Sequence, residues 1–326
     1  MATFWPSNSN KLQLEQLIYQ HISDTNEPDQ YPIVLGQVTN QEEYQCIILE
    51  QGQKNKLEHL QSTFEKADIK IILHVLDSLR SGHFVCYVVS NDTDVLVALL
   101  YHMPYFLQLN LKGLWVRAGV GDTTRHVPLH TLYERLGKDM CAVLPAVHSL
   151  TGCDITSKIG AKKAALKAQP EKFLKNFGRT VTLSESVLQD AEHFLVRVVK
   201  SRSNCKNFSE LRSEIFHSAK ASSHQNLPPT SQGLQPHIQR AFFNAYTIMH
   251  VEELQNYDVN LRPVDFGFKV ENECLLPETS WKTLELHWTT VCTCLTCARA
   301  SCLCRIVGMM CTRFCKCKED CKNPIK

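Results

Sequence analysis

Nine cysteines crowd the last 35 residues of the chain, spaced Cys292-x-Cys294-x2-Cys297-x4-Cys302-x-Cys304-x6-Cys311-x3-Cys315-x-Cys317-x3-Cys321. An odd number of thiols cannot close wholly into intramolecular disulfides. Thiolates at such short intervals suit tetrahedral Zn²⁺. Three zinc ions would need about twelve ligand positions, roughly four each. Six terminal and three bridging thiolates, nine in all, supply that number. The candidate zinc ligands are therefore Cys292, Cys294, Cys297, Cys302, Cys304, Cys311, Cys315, Cys317 and Cys321.

A second set of side chains is acidic. Glu65 and Asp68 lie in FEKADIKI (64–71), Asp92 and Asp94 in SNDTDVL (90–96), and Asp154 in HSLTGCDITSKIGAKKAAL (148–166). Asp92 and Asp94 fall just past the carboxyl end of an apolar run, FVCYVVS (84–90). Open α/β sheets bind ligands beyond the carboxyl ends of their strands. Hard carboxylate oxygens there suit Mg²⁺ or Mn²⁺. Each acid also has a purely structural explanation: Asp92 and Asp154 as helix caps, Asp94 as a favourable first-turn charge. His148 reads as a packed or hydrogen-bonded histidine and Cys153 as a small buried residue. No phosphate-binding P-loop and no G-x-S-x-G elbow occurs.

The elements that must position these groups follow from periodicity. Residues 11–22 place apolar side chains at helical spacing, and YPIVLG (31–36) and QCIILE (45–50) read as short strands. A long helical pattern runs over 57–80, with Phe64, Ala67, Ile71, Val75 and Leu79 as its inward face. FVCYVVS is expected to be a fully buried strand. A helix capped by Asp92 or Asn91 follows it, then a strand at 113–119. Helices are expected at about 128–150, 160–168, 184–199 and 236–255, with a polar linker over 217–237 and no clear period over 258–290. Alternating strands and helices predict an α/β fold with a mostly parallel sheet and flanking helices.

The chain has 326 residues and a formal net charge of +2, with 44% hydrophobic and 21% charged residues. That composition excludes a wholly disordered or collagen-like chain. The cysteine-rich end carries seven Lys/Arg and two Asp/Glu, while the remainder is slightly acidic. The longest apolar run, 95–101, is far short of the ~20 residues of a membrane helix. The first residues show no secretory leader, so the thiols are expected in a reducing compartment.

The order of EKADIKIILH, VVSNDTDVLVALL and LPAVHSLTGCDITSKIGAKKAAL resembles the flap-endonuclease branch of the PIN-like nucleases, and still more the nuclease-like frames of mobile elements. The resemblance covers about 55–200. It implies a PIN-like fold with a helical hairpin, and two divalent metals that activate water and stabilise the leaving oxygen of a phosphodiester. Asp68, Asp92, Asp94 and Asp154 match the metal ligands. Lys158, Gly160, Lys162 and Lys163 match a hairpin loop that grips a DNA backbone. Two departures count against cleavage. Lys66 stands where the family usually carries an acid. At about 5 Å and an effective dielectric near 20, each unit of charge is worth roughly 3 kcal/mol. Glu65, on the same helical face as Asp68, is the candidate replacement. The family's N-terminal strand and further acids also have no counterpart in the first 54 residues, which predicts an N-terminally incomplete site.

The cysteine string, through the closing CKNP, resembles the tesmin-type CXC domain over about 291–324. That resemblance implies zinc and, in tandem members, DNA recognition. Here there is one repeat, and Ser301 stands where those members carry a tyrosine. Arg299, Arg305, Arg313 and Lys316 remain as candidate phosphate contacts.

The expected organisation is an N-terminal extension (1–54), a PIN-like domain (55–200), a helical linker segment (201–290) and a zinc-binding CXC domain (291–326). The expected function is binding of DNA, or RNA, in the nucleus, without efficient cleavage and without a membrane. The alternatives are an active Mg-dependent endonuclease and a protein-interaction relic.

Overall fold

The computed structural model of the chain describes residues 8–25, 31–40, 43–61, 67–218, 227–256, 261–271, 274–278, 292–298, 300–306, 308–311, 315–317 and 321–323. It is a mixed α/β protein with small sheets and a cysteine-rich C-terminal cluster. By contacts the chain divides into two compact units, Met1–Cys141 with Thr247–Asn260, and Ala142–Tyr246 with Leu261–Lys326. The first boundary falls inside the 55–200 stretch.

In the first unit, α1 (Asn8–Thr25) precedes an antiparallel meander of β1 (Ile33–Asn40), β2 (Glu43–Glu50) and β3 (Gln53–Lys56). The β2–β3 turn needs positive φ at Gln51 and at Gly52. Helix α2 (Ala67–Arg80) leads into β4 (Val85–Val89), α3 (Thr93–Gln108), β5 (Gly113–Ala118), β6 (Arg125–Pro128) and α4 (Leu129–Leu136). Strands β4, β5 and β6 form a second sheet in that order.

The mostly parallel sheet expected from the alternation is corrected here. Among the described strand pairs only β4–β5 is parallel; the others are antiparallel. Short connections account for it, because antiparallel neighbours need only a turn, whereas each parallel pair needs a crossover. The β4–α3–β5 segment is such a crossover.

Burial differs from expectation in two places. Strand β4 is not buried on both faces: Cys86 and Val88 are buried, while Val85, Tyr87 and Val89 are exposed. On α2 the buried stripe is Ile69, Ile72, Leu73, Leu76 and Leu79. Val75 joins it as expected, but Ile71 is only half-buried. Phe64 lies outside the described residues. Leu99, Leu100, Met103 and Phe106 of α3 and Leu114 of β5 complete the core of this unit.

In the second unit, α5 (Lys138–Thr151) continues across the unit boundary; Gly137, at φ +82, separates it from α4. Glycine reaches such positive-φ backbone without the steric penalty a side chain would bring. Next come α6 (Lys162–Lys167), α7 (Glu185–Val199), α8 (Phe208–Ser218) and α9 (Ser231–Met249), then α10 (Val251–Asn256) back in the first unit. A hairpin of β7 (Phe268–Glu271) and β8 (Cys274–Pro277) follows. Phe177, Phe194, Phe208 and Phe242 fill the core, with Phe177 and Phe242 meeting edge to face at 5.3 Å. Buried polar groups of α9 find partners: His237 Nε2 donates to the Leu150 carbonyl at 2.9 Å and Asn244 Nδ2 to Ser149 Oγ at 3.0 Å. Such pairing offsets the desolvation that burial imposes. No described helix is long and apolar enough to cross a membrane.

Candidate functional site

The segment after β4 uses its polar side chains on its own backbone. Ser90 Oγ accepts from the Asp92 N–H at 3.0 Å, and Asn91 Oδ1 accepts from the Gly119 N–H at 2.6 Å. Asp92, with β-region backbone angles, is the N-cap of α3 and its Oδ1 accepts from the Asp94 N–H at 2.8 Å. The capping role anticipated for Asp92 is therefore real. Asp94 sits in the first turn of α3 and is buried, 6% exposed.

Asp68 lies in the first turn of α2 and is half-buried. Asp92 and Asp94, at the N-terminus of α3, directly follow the carboxyl end of β4. Glu65 and Lys66 lie outside the described residues. Asp154 belongs to the second unit. It is exposed, in a tight turn whose ends, Cys153 and Thr156, form an isolated β-bridge. It caps no helix: Gly152, at φ +121, ends α5, and α6 starts eight residues beyond Asp154. Among the described residues, the acids form no group of three ligand atoms within 4.8 Å of one another.

The loop expected to grip a DNA backbone lies in the second unit. Lys158, Lys162 and Lys163 are exposed. Gly160, at φ +65, lies so close to α7 that a Cβ there would meet Val198 Cγ1 at 2.6 Å. Lys162 Nζ donates to Nδ1 of buried His148 at 2.9 Å, which ties the loop to α5. His148 is thus a hydrogen-bonded core histidine. Cys153 is half-buried rather than buried, its Sγ 3.2 Å from Thr156 Oγ1.

The cysteine tail is the one place where the described residues gather metal-ligating atoms. Three four-sulfur groups occur, each within 4.8 Å: Cys292, Cys311, Cys315, Cys317; Cys292, Cys297, Cys302, Cys311; and Cys297, Cys311, Cys317, Cys321. Cys311 belongs to all three. Cys304 lies 3.7 Å from Cys315, and Cys294 packs against the cluster. The sulfur separations Cys292–Cys311 and Cys297–Cys311 are 3.8 and 3.6 Å. A tetrahedron with Zn–S bonds of about 2.3 Å has an edge near 3.8 Å, which these two separations approach, while Cys292–Cys297 at 3.2 Å is shorter.

The shell around the sulfurs supports the same geometry. Asn323 Nδ2 donates to the Met309 carbonyl at 2.8 Å and to Cys311 Sγ at 3.5 Å, and the Cys292 N–H points at Cys315 Sγ at 3.5 Å. Donors to a thiolate orient it toward its metal. Burial pushes the thiols of Cys292, Cys311 and Cys317 up to about 11, and raises those of Cys297 and Cys304 as well. For Cys302 burial acts in the same direction, but the Arg305 N–H and neighbouring thiols outweigh it and bring the group to about 7. A metal entering the cluster displaces protons.

Lys316 is exposed; Arg305 is half-buried and its guanidinium donates to the Ala298 carbonyl at 3.2 Å. Arg299 and Arg313 lie outside the described residues. Lys167, Lys172 and Lys175 were missed as basic candidates and are exposed beyond the hairpin loop; their spacing, with a single acid at Glu171, was the available signal. In comparisons with known proteins, no family model, no curated protein and no solved structure matched the chain.

Proposed function

We propose that the chain is a nuclear nucleic-acid-binding protein, built on a PIN-like nuclease fold that has lost efficient cleavage, with a zinc-binding CXC tail holding three ions. The observation that carries the reading is the basic run after α5. Residues 158–179 hold seven Lys/Arg and one acid, and Lys158, Lys163, Lys167, Lys172, Lys175 and Arg179 are all exposed. Each phosphate neutralised by such a run releases counterions, which gives affinity without sequence preference. The basic cysteine tail adds Lys316 to the same chemistry. Zinc there would fold and brace the tail, and its chemistry when bound is structural.

Loss of cleavage accords with Asp92 serving as a cap and with Lys66 standing in the sequence where the resemblance implies an acid. One observation favours the second reading, a Mg- or Mn-dependent endonuclease: Asp92 and Asp94, the latter buried, directly follow the carboxyl end of β4. Labelled single-stranded, duplex and flap DNA, incubated with Mg²⁺ or Mn²⁺, separates the two. Binding without cleavage is expected. Cleavage that Asp94→Ala abolishes would make the protein an enzyme. Cleavage gained by Lys66→Glu would identify one lost ligand as the defect.

A further inference from the structure

The sheet β4–β5–β6 has one covered face and one open one. Cys86, Val88, Leu114 and Val116 are buried on the first. Register places Val85, Tyr87 and Val89 beside Gly113, Trp115 and Arg117 on the other, with His126 opposite Arg117 on β6. Val85 and Val89 are each 64% exposed and Tyr87 52%. Arg117 and His126 are exposed and Trp115 is half-buried.

The rings on this face are held flat against the strands. A Cβ on Gly113 would lie 2.2 Å from the Trp115 indole, so the indole folds over Gly113. It also meets His130 edge-on at 4.8 Å. The Tyr87 hydroxyl reaches across β5 to Nδ1 of His126, with the two rings 5.7 Å apart. Among the described residues, three rings and one guanidinium thus share a solvent-facing surface.

We propose that this face binds single-stranded nucleic acid, bases stacking on Trp115 and Tyr87 while Arg117 meets phosphate. The proposal rests on the nucleic-acid-binding reading above and names its ligand class and a place for it. Exposed aromatics on a sheet give a stacking surface for unpaired bases, and a neighbouring cation supplies charge complementarity to the backbone. A duplex hides its base faces and does not satisfy the rings. A second copy laid face to face would set one Arg117 and His126 against another copy's basic groups.

The test uses the full zinc-loaded chain with Trp5, Trp281 and Trp288 changed to Phe, leaving Trp115 as the sole indole. Oligothymidylate, oligouridylate and a duplex are titrated while anisotropy of the labelled oligomer and Trp115 fluorescence are read together. Saturable quenching by both single strands and little by duplex is expected. Tyr87→Thr should weaken binding on the order of tenfold, the loss of one stacked base. Tyr87→Phe, which keeps the ring, should stay within about twofold. Arg117→Gln should reduce affinity without changing the melting temperature, which covers the case of Tyr87→Thr failing to fold. Binding that leaves Trp115 fluorescence and the Tyr87 variants unchanged would overturn this site and leave the basic run as the interface. Absence of any binding at low salt would overturn both readings. Dimers that Tyr87→Thr dissociates, with affinity unchanged, would make the face a self-interface and overturn the proposal.

Discussion

Replacing Cys311 by Ser should cost the tail far more zinc than replacing Cys294. Cys311 is shared by all three four-sulfur groups, whereas Cys294 belongs to none of them. Structural zinc sites bind with about 10–16 kcal/mol, or roughly 2.5–4 kcal/mol per ligand of four. Removing one thiolate therefore weakens a set by about two to three orders of magnitude. Cys311→Ser breaks every set at once and also removes the sulfur to which Asn323 donates at 3.5 Å. Zinc per chain, measured by mass spectrometry of the native protein and by release to a chromogenic chelator, should fall to near zero for Cys311→Ser. Protease should then remove the tail. Cys294→Ser should retain most of its metal. Equal losses in the two variants would refute the sharing drawn from the sulfur geometry. A wild-type chain that purifies without zinc and gains none on refolding would refute the metal site itself.

Other consequences follow from single residues. Asp92→Ala should destabilise the first unit by about 1 kcal/mol through loss of the α3 cap, and Asp92→Asn should not; denaturant midpoints of the two variants check this. Gly152→Ala should cost on the order of 1–3 kcal/mol, because φ is +121 and the new Cβ would lie 2.9 Å from the Lys158 Cα. Gly121→Asn, at φ +56 with nothing within 4 Å, should be nearly neutral, and thermal melts compare them. Burial holds His102 below its ordinary 6.5, with the Ile248 carbonyl opposing the shift. The unfolded chain takes up that proton first, so stability should fall as pH drops through about 6.5 and be flat above it. The slope is at most about 1.4 kcal/mol per pH unit for this group, and His102→Gln should flatten it. His74 and His237 are shifted the same way and add to the acid loss.

The legible parts of the sequence were those with a strong local signal. Strand β5 and helices α3 and α7 sit close to where their apolar spacing and caps put them. The zinc candidates followed from spacing alone, because nine thiols at such short intervals converge whatever the chain does between them. Strands β3 and β6 were missed. QKNK is fully exposed and RHVP carries two basic residues and a proline, so neither alternates; cross-strand hydrogen bonds define them. Helix α8 was missed because its serines weaken the apolar stripe, and β7–β8 because four-residue strands carry too short a pattern. The single pattern over 128–150 hid a break at Gly137, whose positive φ no periodicity records. The open face of β4–β5–β6 depends on register between strands far apart in sequence. FVCYVVS looked uniformly apolar, and only the pairing shows which half of it meets solvent.

The proposed function is binding of nucleic acid through phosphate. The measurement that tests it most directly is the affinity of the full, zinc-loaded chain for a labelled oligonucleotide, followed by anisotropy across a salt series. Wild type should show log K falling steeply with log salt. A variant with Lys158, Lys163 and Lys167 changed to Gln should show a slope shallower by about two to three, near 0.7–0.9 for each phosphate no longer neutralised. An undiminished slope in that variant would remove the basic run from the interface. No binding at low salt by folded, zinc-loaded protein would contradict the account.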